Sequence, residues 1–119
     1  FEYVPVAREY LPLVNIEDAG PMPEALLECG IYRECLNLCI GESGAGKSMF
    51  ALTLALSLST GKPLLKGFAP TAPGKVLYLS GEDCAAVLKA RAHAIAKAHG
   101  VTTAGADCHF VTRAIHSLR

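Results

Sequence analysis

The stretch "CIGESGAGKSMF", residues 39–50, decides how this chain folds. Five small or flexible residues (Gly41, Ser43, Gly44, Ala45 and Gly46) run straight into Lys47 and Ser48. On one side lies the apolar run "LNLCI" at 36–40, and on the other "MFALTLALSL" at 49–58. Pliable backbone that ends in a cation, between a strand-like and a helix-like segment, is what anion binding requires. The spacing fits G-x-x-x-x-G-K-[ST] at Gly41, Gly46, Lys47 and Ser48. In a chain of this length such a match arises by chance on the order of a few times per thousand. The bland alternative is a flexible strand-to-helix turn with a lysine on its surface.

The chemistry follows from what phosphate oxygens need, which is many donors at short range. Glycines let successive backbone N–H groups turn inward with no Cβ in the way. A helix that begins near Lys47 adds its unpaired N–H groups and its positive dipole end. Lys47 can bring an ammonium to the β- and γ-phosphates. Ser48 offers a hydroxyl to Mg²⁺. Glu42 and Ser43 line the loop without a specific duty, and Gly44 serves its curvature. The expected ligand is ATP with Mg²⁺, held by Gly41, Glu42, Ser43, Gly44, Ala45, Gly46, Lys47 and Ser48.

Working outward, a strand is expected at 36–40. Its continuous apolar run suits burial on both faces of a parallel sheet. A helix is expected from about Lys47 to Thr60, apolar almost all round and therefore largely buried. Gly61 closes it and Pro63 prevents its resumption. "KVLYLS", 75–80, reads as the second strand, bounded by Pro73-Gly74 and Gly81. A second helix is expected to follow, capped by Asp83 and running to about His99 and Gly100. Its inward face would be Val87, Leu88, Ala92 and Ile95, and Lys89, His93 and Lys97 form a solvated stripe. "DCHFVTR", 107–113, is the third strand. The alternation predicts an α/β fold, a partial P-loop core with a parallel sheet and flanking helices. Upstream, four prolines mark residues 1–29 as an N-terminal strap or linker with a short helix near Glu24–Cys29; residues 30–119 form the domain. The chain starts at Phe1 and stops inside an unfinished segment, so it reads as a piece truncated at its C-terminus.

A second constellation is "YLSGED", 78–83. In parallel sheets functional groups collect beyond the carboxyl ends of strands, so these acids should share an edge with the glycine loop. A carboxylate there can orient a water toward the γ-phosphate, hold Mg²⁺, or cap the next helix. Water activation is the favoured role for Glu82, and helix capping for Asp83. Ser80 is a secondary candidate for touching the attacking water. Lys75 and Arg91 are secondary candidates for reaching a nucleotide or a neighbouring subunit.

The stretch "GESGAGKSMFALTLALSLSTGKPLL…GKVLYLSGEDCAAVLKARAHAI" resembles the RecA-like ATPases of the RepA-type and DnaB-type replicative helicase group, among the AAA family ATPases. Members that accompany plasmid and phage replication look most alike. The likeness spans about Gly30 to Ile95. It rests on the phosphate loop, "TGKPLL", the strand ending in "GED", and Arg91 one helix later. It implies a catalytic glutamate at Glu82 beside Lys47, a homo-oligomeric (hexameric) ring, and single-stranded DNA as a partner. The family's Walker B aspartate, arginine finger and DNA-contacting loops have no counterpart here. Two rivals stand beside an ATPase: a P-loop kinase acting on a small molecule, and a non-hydrolysing nucleotide switch. A guanine reader of the N-K-x-D type is not found.

Composition narrows the field. Apolar residues make up 51%, enough for a core, and eleven basic side chains balance eleven acidic ones. No net positive field draws in nucleic acid, so contact with it would rest on local patches. The five cysteines lack a C-x-x-C pair, and zinc-knuckle spacing is absent. Free thiols in a reducing cytoplasm are expected. The four histidines lack metal-ligand spacing. The longest apolar run is about half a membrane span, so no membrane helix is expected.

Overall fold

The computed structural model describes residues 13–112. Its elements in chain order are a short 3₁₀ turn at Ile16–Asp18, then β1 (Ala25–Leu27) and β2 (Ile31–Tyr32). There follow α1 (Lys47–Thr60), β3 (Val76–Leu79), α2 (Ala85–Ala98) and β4 (Cys108–Val111). The fold is α/β. β3 and β4 pair in parallel, Val76 with Cys108 through Leu79 with Val111, and β1 and β2 form a separate antiparallel hairpin.

α1 forms because Leu, Ala, Met and Lys favour the helix and because its body is taken into the core. Its buried hydroxyls are satisfied locally. Thr53 Oγ1 donates to Met49 O at 2.7 Å, Ser59 Oγ to Ala55 O at 2.7 Å, and Ser57 Oγ to Lys62 O at 2.7 Å. Gly61 ends the helix in the left-handed region at φ 73°, its N–H on Ser57 O. No other residue fits there, since a Cβ would meet Pro73 Cγ at 2.7 Å.

The core is Leu52, Leu56 and Leu64 against Ala92 and Ile95 of α2, with Tyr78, Val101 and Phe110 packed on it. Tyr78 and Phe110 meet edge to face, centroids 5.9 Å apart. On α2 the buried side chains are Leu88, Ala92, Ile95 and Ala96; Val87, expected inside, is exposed, and Ala96 takes its place. Lys89, His93 and Lys97 face solvent. Both helices pack on one face of the β3–β4 sheet, the side of Tyr78 and Phe110. Leu77 and Leu79 point the other way and remain more than half exposed.

Two expected elements are corrected. Residues 24–29 are not helical: Ala25–Leu27 is a strand. Six residues after Pro23 are too few to nucleate a helix alone. The chain at 69–71 offers backbone partners instead, with Glu28 N–H on Ala69 O at 3.0 Å and Thr71 N–H on Leu26 O at 3.1 Å. Leu27 is wholly buried there, facing Pro70. Gly30, at φ 98°, turns the hairpin where a helix end was expected. The hairpin thus pairs residues on both sides of the expected boundary at 29/30.

The second correction concerns residues 36–40, which are not a buried strand. They form no ladder among the described residues, and Leu36, Leu38 and Ile40 are 99%, 82% and 83% exposed. A strand exists only through its hydrogen-bonded neighbour, and this segment is offered none among the described residues. The third expected strand is found at Cys108–Val111; Arg113, assigned to it, lies outside the described residues.

Candidate functional site

The glycine loop leads directly into α1. Ala45 N–H bonds Glu42 O at 3.1 Å and closes a turn, and Phe50 N–H reaches back to Gly46 O at 2.9 Å to start the helix. Gly46 is the N-cap at φ 94°, in the left-handed region that a side chain resists. An added Cβ at Gly44 or Gly46 would meet nothing within 4 Å, so the space over the loop is open. No side chain caps α1, and its first N–H groups have no partner within the helix. The Lys47 ammonium folds back over the loop and donates to Gly41 O and, at 2.8 Å, to Glu42 O. Both acceptors are neutral carbonyls, so an anion in the cleft is a stronger partner for this cation.

Across from the loop stands the turn that follows β3. Ser80 N–H continues the ladder to Val111 O at 2.9 Å, and Asp83 N–H bonds Ser80 Oγ at 3.2 Å. Asp83 does not cap α2. Cys84 holds the N-cap position without a side-chain bond, while the Asp83 carboxylate accepts from Arg91 at 2.7 Å. Arg91, two turns along α2, lies on the same side of the helix as its start, and a full ion pair outcompetes a neutral N–H for the carboxylate. Tyr78 joins the two halves: its hydroxyl lies 3.5 Å from Ser48 O, at the long limit of a hydrogen bond. Burial, and then the negative Asp83, push its phenol above the ordinary value, while Arg91 pulls it back.

A cleft of about 560 Å³ lies between the halves, lined by Ser43, Gly44, Gly46, Lys47, Ser48, Met49, Glu82, Asp83 and Arg91. The structure therefore brings the loop and Glu82 to one cavity from positions 34 residues apart (48 to 82). Gly41, Glu42 and Ala45 belong to the loop but stand behind its lining, as acceptors for Lys47 and as the turn. The Glu82 carboxylate accepts no hydrogen bond from the described residues. Lys75 is not at this site: it sits at the opposite end of β3, 3.9 Å from Asp107. His109 also meets Asp107, at 2.8 Å.

A family model described as an AAA domain matches residues 6–119. The chain belongs to the AAA domain family. Membership places it among ATPase domains. No solved structure matches the chain.

Oxygen donors dominate this AAA domain's cleft. The Ser48 hydroxyl is an oxygen donor of the kind a hard cation such as Mg²⁺ takes. No group of three or more His, Cys, Asp or Glu that could hold a metal ion is gathered among the described residues. All five cysteines are unbridged. Cys29, Cys35, Cys39 and Cys84 are exposed, and burial followed by the charge of Asp107 pushes the Cys108 thiol up. Among the described residues no helix is long and apolar enough to cross a membrane.

Arg91 is the residue whose site role the sequence left secondary. Its eight-residue offset from Asp83, two helical turns, was the available signal.

Proposed function

We propose that this AAA domain binds Mg-ATP through Gly41–Ser48 and hydrolyses it with Glu82 as the acid that polarises water. One observation carries the reading: Glu82, its carboxylate unengaged, lines the same cleft as Lys47, Ser48 and the bare backbone of the glycine loop. Loop N–H groups and the α1 N-terminus would take the phosphate oxygens, and Lys47 would exchange two carbonyls for the β- and γ-phosphates. Ser48 would hold Mg²⁺, which supplies neutralisation of phosphate charge when bound. Glu82 would accept a proton from the water that attacks the γ-phosphorus in line; the bond to the bridging oxygen breaks and ADP leaves. Positioning and charge stabilisation carry the rate, since the protein forms no covalent bond.

The resemblance to RepA-type and DnaB-type proteins supports a finer reading: a motor subunit of a replicative helicase of plasmid or phage type, in a homo-oligomeric ring acting on single-stranded DNA. The balanced charge of the chain means that DNA contact would rest on local patches.

Turnover in heavy-oxygen water tests the hydrolytic reading. The heavy isotope should appear in free inorganic phosphate, and Lys47→Ala should abolish its release. Phosphate found on a small-molecule acceptor, with none released free, would make the protein a kinase. Tight nucleotide binding with no turnover under any condition would make it a switch.

A further inference from the structure

The Ser80–Asp83 turn is tied to both β4 and α2, while the Glu82 carboxylate accepts no hydrogen bond from the described residues. Ser80 N–H is tied to β4 at Val111 O, Asp83 N–H to Ser80 Oγ, and the Asp83 carboxylate to Arg91 of α2. Arg91 is in turn a fixed point, because its helix is locked into the core by its neighbours Leu88, Ala92 and Ile95. The residue that follows Glu82 is therefore pinned to a rigid helix. Without the pin, the peptide that carries Glu82 would lose its side-chain tie to α2.

We propose that the Asp83–Arg91 ion pair is a positioning device that fixes Glu82 toward the glycine loop. The proposal rests on the reading of Glu82 as the water-polarising acid. A role in overall stability explains the pair less well: both side chains keep substantial solvent contact, at 41% for Arg91 and 25% for Asp83, and ion pairs of that kind add little to folding. Both residues also line the cleft, so a change in either is felt where nucleotide would sit. Arg91 balances the Asp83 charge beside the phosphates, which makes Asp83→Asn the cleaner probe because it adds no repulsion.

The test is a kinetic cycle on the purified protein with ATP. Asp83→Asn should lower kcat about 10- to 100-fold, the scale of an ångström of misplacement, with KM held within about threefold. Asp83→Glu, which can still reach Arg91, should recover most of the loss. In a Glu82→Gln background Asp83→Asn should cost nothing further, because the pair acts through Glu82. Hydrogen exchange of the amides at 81–83 should quicken in Asp83→Asn while the α2 core amides stay protected. An unchanged kcat in Asp83→Asn, or an equal loss in the Glu82→Gln background, would overturn the proposal while leaving Glu82 its role. If Glu82→Gln alone keeps full turnover, the parent reading fails, and the exchange data still report whether the pair holds the turn.

Discussion

The two walls of the cleft are built by opposite means. The glycine loop is backbone throughout: its curvature comes from Gly44 and Gly46 at positive φ, and its donors are main-chain N–H groups and one lysine. The acid turn is a side-chain construction, held by a serine hydroxyl and an aspartate–arginine pair. Backbone walls are written locally in the sequence, because a run of glycines before Lys-Ser has few other uses. Side-chain walls depend on which distant residue arrives as a partner, and that depends on the fold.

Substitutions can break this contrast, beginning with the largest effect. On the acid side, Glu82→Gln should remove turnover by about 10²- to 10⁴-fold, the range for a lost general base, with no loss of fold. On the loop side, Lys47→Ala should weaken nucleotide binding about 10- to 100-fold in a fluorescence titration, since a charge-assisted contact of about 1.5–3 kcal/mol is removed. Gly46→Ala should cost about 1–2 kcal/mol for forcing a side chain into φ 94°, read as a lower thermal midpoint. Gly41→Ala should be milder: a Cβ there meets Ala45 and Lys47 only at ordinary contact distance, 3.5 Å. A reversed order of those two glycines would mean that the loop's shape is set by crowding and not by backbone conformation. Ser80→Ala should have the smallest effect, below about 1 kcal/mol in stability, because one neutral bond to the Asp83 N–H is lost while the Arg91 contact remains.

The same division explains what could be read in the sequence. α1 was legible to the residue, because Gly46 and Gly61 punctuate it and its apolar body needs no outside information. β3, α2 and β4 were legible from alternation and turn residues, with the parallel pairing following from their order. The hairpin at 25–32 was not, since its partners at 69–71 are some 40 residues away and supply backbone bonds that leave no mark on composition. Residues 36–40 show the limit from the other direction. An apolar run announces an intention to be buried, but a strand also needs a neighbour, and Leu36, Leu38 and Ile40 stand in solvent. At the site, the motif names a loop of which Ser43, Gly44, Gly46, Lys47 and Ser48 line one cleft. Asp83 was read as a helix cap because local capping is the usual use of an acid before a helix; the guanidinium of Arg91 outbids that use.

Separating grip from turnover tests the account most directly. ATP affinity and the rate of phosphate release should be measured side by side in the unaltered protein and in Glu82→Gln. The expected result is equal affinity within about threefold and a rate lower by at least about a hundredfold. Equal rates in the two proteins would contradict the account and leave the cleft a binding site whose acidic wall does no chemistry.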